Sequence, residues 1–226
     1  MTGTIILTGA NSSLAIPAVE HLLAQYPNFT AVLTIRDASE NDTNTKKLRT
    51  TIAQHPGAKT SIHELDLTNL SAVQAFASSI ATEIAQDQLP SLASIICNAY
   101  YWNLSGPAET IKDGYEKTFQ VIHVAHAALV LQLLGSFGPD GGRVVLFSSD
   151  AHCSGKNSLE KYPPAIPNDL ELLVKPAAND PPDNFGRGFQ RYAVSKLAVV
   201  MWMYALNRYL KKVSCSLQPL LSIDWA

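Results

Sequence analysis

Five short, mostly apolar runs alternate with segments of helical period along this chain, and no other feature narrows its fold as much. The runs at residues 4–7, 30–35, 59–65, 93–97 and 143–147 are too short for helices and are bounded by turn residues, so they read as strands. Between them apolar residues recur three and four apart: Ile16, Val19, Leu22, Leu23 and Tyr26, then Val73, Phe76, Ile80 and Ile84. A further helix is expected over residues 45–54, closed by Pro56-Gly57, and a long one over 114–134 with Phe119, Ile122, Ala125, Ala128, Leu129 and Leu133. Alternation this regular implies parallel βαβ units with right-handed crossovers. Apolar strands of this kind belong in a sheet covered on both faces. The expected fold class is therefore α/β, a doubly wound parallel sheet in three α/β/α layers. Ligands of such sheets bind at the carboxyl ends of the strands. Thr8-Gly9, Arg36, Asp66 and Asn98 all stand at such ends and should converge.

Composition removes several function classes. The 226 residues fit one domain, and 46% hydrophobic against 16% charged residues is enough for a sizeable core. A net charge of -2 offers nothing to attract nucleic acid or an anionic membrane. Cys97, Cys153 and Cys215 show no metal-ligand spacing, and an odd, scattered set fits a reducing compartment. The N-terminal residues contain no basic region followed by an apolar segment, and the apolar run at 197–206 is too short to span a bilayer. The expectation is a cytoplasmic protein without nucleic-acid, membrane or metal partners. A proline-rich stretch at about 150–187 interrupts the domain, with a short helix expected near residues 169–174. Loops of this length are usually functional or mobile, so it reads either as a substrate-facing lid or as a surface insertion.

Three motifs carry chemistry. The first strand runs straight into Thr8-Gly9-Ala10-Asn11-Ser12-Ser13-Leu14-Ala15 and then a helix. A tight turn of small residues at a helix start offers backbone N–H groups and a dipole to a phosphate, although an ordinary βα connection needs no ligand. Arg36 ends the second strand, where dinucleotide folds hold the adenosine ribose. An arginine suits a 2′-phosphate, so NADP(H) is favoured over NAD(H); the alternative is a solvated surface arginine. Tyr192 and Lys196 lie one helical turn apart in a segment with apolar residues through Leu206. A cation near a phenol favours the phenolate and would fit proton transfer at an alcohol or carbonyl oxygen.

Taken together, these motifs resemble the short-chain dehydrogenase/reductase family, over nearly the whole chain from Ile5 to about Pro219. Thr8-Gly9-Ala10-Asn11-Ser12 resembles its cofactor turn, and Asp66-Leu67 its adenine-contacting pair. Asn98-Ala99 resembles its motif after the fourth strand, Ser149 its catalytic serine, and Tyr192 with Lys196 its Tyr-x-x-x-Lys signature. The resemblance implies a Rossmann fold and an oxidoreductase acting on a small carbonyl or alcohol. It implies Tyr192 as acid or base, Lys196 lowering the tyrosine pKa and holding the nicotinamide ribose, and Ser149 bonding the substrate oxygen. Gly9, Asn11, Ser12, Ser13, Leu14, Arg36, Asp66, Leu67, Asn98, Ala99, Tyr192 and Lys196 would bind the cofactor. A homodimer through the long helix and the Tyr192 helix is also implied.

Four positions depart from the family pattern. Ser13 and Ala15 stand where the turn normally has glycine, and Tyr100 replaces the glycine after Asn98-Ala99. Ile122 stands where the family has an asparagine that helps position a water and the lysine. Beyond residues 213–217, expected to start a further strand, the tail no longer resembles the family, and a truncated or altered C-terminal region is expected. These departures keep open a second reading, an impaired relative that only binds nucleotide or a partner. A third is a non-redox activity in the same pocket. His152, His123, His126 and Cys153 are read as having no catalytic or metal role, and Trp202 and Met203 as packing.

Overall fold

The computed structural model describes residues 2–177, 183–214 and 221–225. Six strands form one parallel sheet: β1 (Gly3–Thr8), β2 (Phe29–Ile35), β3 (Lys59–Glu64), β4 (Leu92–Cys97), β5 (Gly142–Leu146) and β6 (Leu221–Trp225). Their order is β3-β2-β1-β4-β5-β6, so the chain reverses its direction of travel between β1 and β4. This is the doubly wound, three-layer arrangement that the alternation implies.

Strand side chains alternate between the two faces, and each face has its own core. Ile6, Val32, Ile95 and Val144 point to one side. There they meet Val73 and Ile80 of α3 (Leu70–Ala85), Leu129 and Leu133 of α5 (Ala125–Leu133), and Val199, Met203 and Leu206 of α7 (Asn184–Ser214). Leu7, Ala31, Leu33 and Ile35 point to the other side and meet Val19 and Leu23 of α1 (Ala15–Gln25) and Leu48 of α2 (Thr43–Ala53). Met203 thus packs inside the chain, as does the edge of Trp202 against His123 with ring centroids 6.0 Å apart.

Local chemistry sets the helix starts. Asp42 caps α2 by accepting from the Thr45 N–H at 2.6 Å, and Asn69 caps α3 through Ala72 at 3.2 Å. The long helical segment begins at Lys117 rather than 114. Gly114, at φ +82°, turns the chain, and the Glu116 carboxylate caps α4 (Lys117–Phe119) by accepting from the Phe119 N–H at 2.8 Å. A π-helical turn over Gln120–Val124 then joins α4 to α5. The segment Lys117–Ser136 is long and apolar enough to cross a membrane, but 56% of its apolar window is buried inside the molecule, as for a core helix.

Two further boundaries differ from expectation. Helix α7 starts at Asn184, before residue 187, because the Asp183 side chain accepts from the Gly186 N–H at 2.9 Å and caps it. At its other end α7 continues through 213 to Ser214, where the sequence leads one to expect the start of a strand; residues 215–217 of that expectation lie outside the described residues, and the last described strand is Leu221–Trp225. Within the insertion, the short helix α6 (Glu171–Val174) and a 3-10 turn at Asp150–His152 are regular.

Candidate active site

The turn after β1 needs a glycine. Gly9 lies at φ +64°, and a Cβ there would come within 3.0 Å of the Ala99 Cα and 3.1 Å of its Cβ. The turn is wired to the end of β4 by Asn98, which is buried. Its Nδ2 donates to the carbonyls of Thr8 at 3.0 Å and Gly9 at 3.1 Å, with Ser12 Oγ at 3.3 Å. Ser12 Oγ also accepts from the Ala15 N–H at 3.1 Å, fixing the start of α1. Asn11 reaches the other way, donating to Thr45 Oγ1 at 3.0 Å and Asp42 Oδ1 at 3.3 Å across the start of α2. The Thr45 bonds, with help from Asn11, hold the Asp42 carboxyl below its usual range.

A cleft of about 290 Å³ opens over these strand ends. Gly9, Asn11, Ser12, Arg36, Asp66, Leu67, Asn98 and Ala99 all line it. Ser13 and Leu14 share the turn, but their side chains are exposed and lie outside the lining. Ala15, in place of a glycine, is buried among Leu7, Ala10 and Val19, so its methyl packs into the core and leaves the cleft clear. Arg36 is exposed at the lip and makes no ion pair among the described residues. Asp66 turns its carboxylate to Thr68, accepting from its N–H at 2.9 Å and its hydroxyl at 2.8 Å. Sequence reasoning missed Thr34, Asp42, Tyr101 and Lys117 on this lining. Only the cap pattern at Asp42 gave a local signal, and it spoke of a helix start, not a cleft.

Beneath the cleft, Thr8 is a junction. Its Oγ1 accepts from the Ala99 N–H at 3.1 Å and lies 2.9 Å from His126 Nε2, while His126 Nδ1 lies 3.1 Å from the Ile122 carbonyl. Burial holds His126 down to about 4, so the ring is neutral. The network assigns the proton to Nδ1, donating to Ile122, with Nε2 accepting from the Thr8 hydroxyl. His126 therefore ties the end of β1 to the π-helical turn.

The side chains expected to react are gathered by β5 and α7. Tyr192 and Lys196 are one turn apart on α7, and Ser149 begins the 3-10 turn after β5. The Ser149 side chain bears on the Tyr192 phenol. The Ser149 hydroxyl also donates to Asp150 Oδ1 at 3.1 Å and accepts from the Ala151 N–H at 3.3 Å. Lys196 is 6% exposed, its Nζ donates to the Phe147 carbonyl at 2.7 Å, and burial holds the ammonium down to about 8. Burial pushes the Tyr192 phenol above its ordinary value. Ser149 opposes this, and Tyr100 and Asp150 add to it. This differs from the expected lowering by Lys196. The reason is positional: the Nζ lies 5.7 Å from the Tyr192 ring centre and spends its bond on Phe147. Ile122 is buried and shares with Lys196 and Trp202 a void of only about 10 Å³. His152 sets Nδ1 against Ser148 Oγ at 3.2 Å and Nε2 against Cys153 Sγ at 3.3 Å.

No family model matches the chain. Curated relatives do. A short-chain dehydrogenase of Talaromyces variabilis is 26% identical over 244 residues, covering 93% of this chain and 65% of the relative. Retinol dehydrogenase 14 of Mus musculus is 30% identical over 167 residues, covering 70% of this chain and 47% of that protein. The chain thus spans at most about two thirds of the length of these curated relatives. Among solved structures, an uncharacterised Mycobacterium paratuberculosis protein superposes with a TM-score of 0.69 at 26% identity, covering 94% of this chain and 64% of that one. An NADPH-bound carbonyl reductase from chicken fatty liver gives 0.66 at 17% identity, covering 99% and 78%, which shows the fold. With its Rossmann sheet, its Gly9 turn and the Ser149, Tyr192 and Lys196 set in one place, the chain has the fold of the short-chain dehydrogenases/reductases, and its curated relatives are proteins of that family.

Proposed function

We propose that this chain is a cytosolic NADP(H)-dependent oxidoreductase that moves a hydride between the nicotinamide and a small carbonyl or alcohol. The observation that carries the reading is the placing of Ser149, at the end of β5, beside the Tyr192 phenol, with Lys196 one turn along α7. That pair presents a proton donor and a second hydroxyl to one substrate oxygen, the requirement for reducing a carbonyl.

The residues present fit a dinucleotide. Gly9 leaves no side chain at the turn, Asn11 and Ser12 hold it, and Asp66, Leu67, Asn98 and Ala99 line a cleft large enough for a substantial part of the ligand. When bound, the nicotinamide supplies or takes up the hydride. Tyr192 gives its phenolic proton to the carbonyl oxygen as it becomes an alkoxide, and takes it back in the oxidation direction. Ser149 donates to the same oxygen once its hydroxyl swings from Asp150. Lys196, one turn from Tyr192 on α7, would hold the nicotinamide ribose with its ammonium. Solved structures of this fold hold either cofactor: one is NADPH-bound, and one from Burkholderia phymatum is in complex with NAD. Arg36, at the lip of the cleft with no ion pair among the described residues, supports the 2′-phosphate form here. The reading extends to a homodimer, for which the exposed Leu131 on α5 and Met201 and Tyr204 on α7 offer apolar surface.

Fluorescence titration of the 226-residue chain with NADPH and NADH tests the assignment. Saturable binding that is tighter for NADPH, followed by carbonyl-dependent NADPH oxidation, is the expected result. A folded chain that binds neither cofactor would overturn it.

A further inference from the structure

Two large aromatic rings stand in solvent beside the Tyr192 phenol. Trp102 is 41% exposed and Tyr100 58%. The Trp102 and Tyr192 ring centroids are 5.2 Å apart with planes at 59°. On another side of Tyr192 lies Phe189, fully buried, at 6.2 Å. The reacting phenol is thus held between a core aromatic and an open one. Tyr100 lines the cofactor cleft and bears electrostatically on the Tyr192 phenol, so both open rings border the place where a substrate oxygen must sit.

The segment that presents them is firmly built. Asn103 Oδ1 accepts from the N–H groups of Ser105 at 3.1 Å and Gly106 at 2.8 Å, and its Nδ2 donates to Glu109 at 2.8 Å. Tyr101 is anchored by its hydroxyl to Glu109 and by Lys117 over its ring at 4.1 Å. The Asn103 carbonyl rests directly on Gly188 of α7, where a Cβ would lie 2.1 Å from that oxygen. The backbone on both sides of Trp102 is therefore fixed, and its exposure is not a consequence of slack. Exposed aromatic surface held rigidly beside reacting groups is what a binding site for a flat apolar ligand requires. Two charged groups of opposite sign stand by the phenol, the Asp150 carboxylate and the Lys196 ammonium 5.7 Å from the ring centre, so the place selects for neither sign of substrate charge.

We propose that Trp102, with Tyr100, forms the substrate platform, and that the substrate is a neutral carbonyl or alcohol whose reacting carbon carries a flat aromatic or conjugated group. This rests on the oxidoreductase reading, which Trp102 does not itself support.

The test compares 1-(2-naphthyl)ethanone with cyclohexyl methyl ketone on the wild type, Trp102→Ala and Trp102→Phe. Turnover is read with NADPH, and ketone binding is read separately by saturation-transfer NMR. Wild-type kcat/KM should favour the naphthyl ketone. Trp102→Ala should lower kcat/KM for it about tenfold or more, and Trp102→Phe should recover most of that loss, because the ring face supplies the contact. The cyclohexyl ketone should change by less than about threefold. Equal wild-type preference, or equal losses for both ketones, would overturn the platform while leaving the oxidoreductase reading intact. If no ketone turns over, that reading fails instead, and the NMR arm still decides the platform: saturation transfer to the naphthyl ring must be present in the wild type and lost in Trp102→Ala.

Discussion

In the proposed acid role, Tyr192 must be buried enough to meet a substrate away from water, yet able to exchange a proton. Burial raises its pKa, and Lys196, directed at the Phe147 carbonyl, does not reverse this. The phenol is therefore protonated throughout the neutral range, the form that carbonyl reduction needs. Lys196 is the group that titrates nearby, at about 8. Its folded pKa lies below the free lysine value. Between about pH 8 and 10 the folded chain therefore binds fewer protons here than the unfolded chain, and this group's contribution to stability rises with pH. For activity the sign is opposite, because above pH 8 the ammonium that would hold the nicotinamide ribose is lost. Reduction should be flat from pH 6 to 7.5 and fall through an inflection near 8. Tyr192→Phe should lower kcat by about 10²–10⁴-fold with an unchanged melting temperature. A pH–rate profile beside thermal melts checks both, and a kcat within a few-fold of wild type would remove Tyr192 as the acid.

At the scale of elements, the insertion is strapped to α4 and α7. The Glu116 N–H donates to the Val174 carbonyl at 2.6 Å, Gln190 Nε2 to the Pro163 carbonyl at 3.1 Å, and Lys161 pairs with Asp183 at 3.2 Å. Glu116 is central to this junction. It is buried, caps α4, and lies 3.7 Å from Arg191 Nε in a pair whose side chains are 3% and 11% exposed. Arg191 Nη2 is buried with no hydrogen-bond partner among the described residues, so the carboxylate is its main compensation. Glu116→Gln keeps an acceptor for the cap and removes the charge, stranding the guanidinium. The expected loss is about 3 kcal/mol in urea unfolding, since breaking one side of a buried pair leaves an uncompensated charge. A loss below about 1 kcal/mol would mean that the guanidinium finds water instead. These junctions also mark where the sequence was hard to read. The strands and the α1 and α3 stripes were legible because each buries one face with a fixed period. The start of α7 was not, because its cap, Asp183, stands behind Pro181-Pro182. The π-helical turn at Gln120–Val124 left no trace in the apolar period. Of the site, residues on strand ends were legible, because topology alone brings them together. Trp102 and Lys117 arrive through loop packing on Gly188 and Glu109, contacts between segments that no local pattern encodes.

Over the whole molecule, the cleft joins two halves of the sheet. Gly9 and Arg36 come from the β1–β2 side, and Asn98 and Ala99 from β4 across the point where the strand order reverses. Asn98 is the strap between them, with its amide on the carbonyls of Thr8 and Gly9. A ligand lying across this junction should stabilise the chain by mass action, by about 2.7 kcal/mol at a hundred times its Kd. For a chain of this size that is a rise in melting temperature of about 5–10 °C. Asn98→Ala should act twice. It leaves buried carbonyls without their donor, at a cost of about 1–3 kcal/mol. It also frees the Gly9 turn, so that ordering the turn must be repeated with each binding event and the cofactor-induced rise shrinks. Thermal melts of wild type and Asn98→Ala, with and without NADPH, separate the two effects. A variant with a lower melting temperature but the full NADPH-induced rise would show that Asn98 holds the sheet together without shaping the cofactor turn.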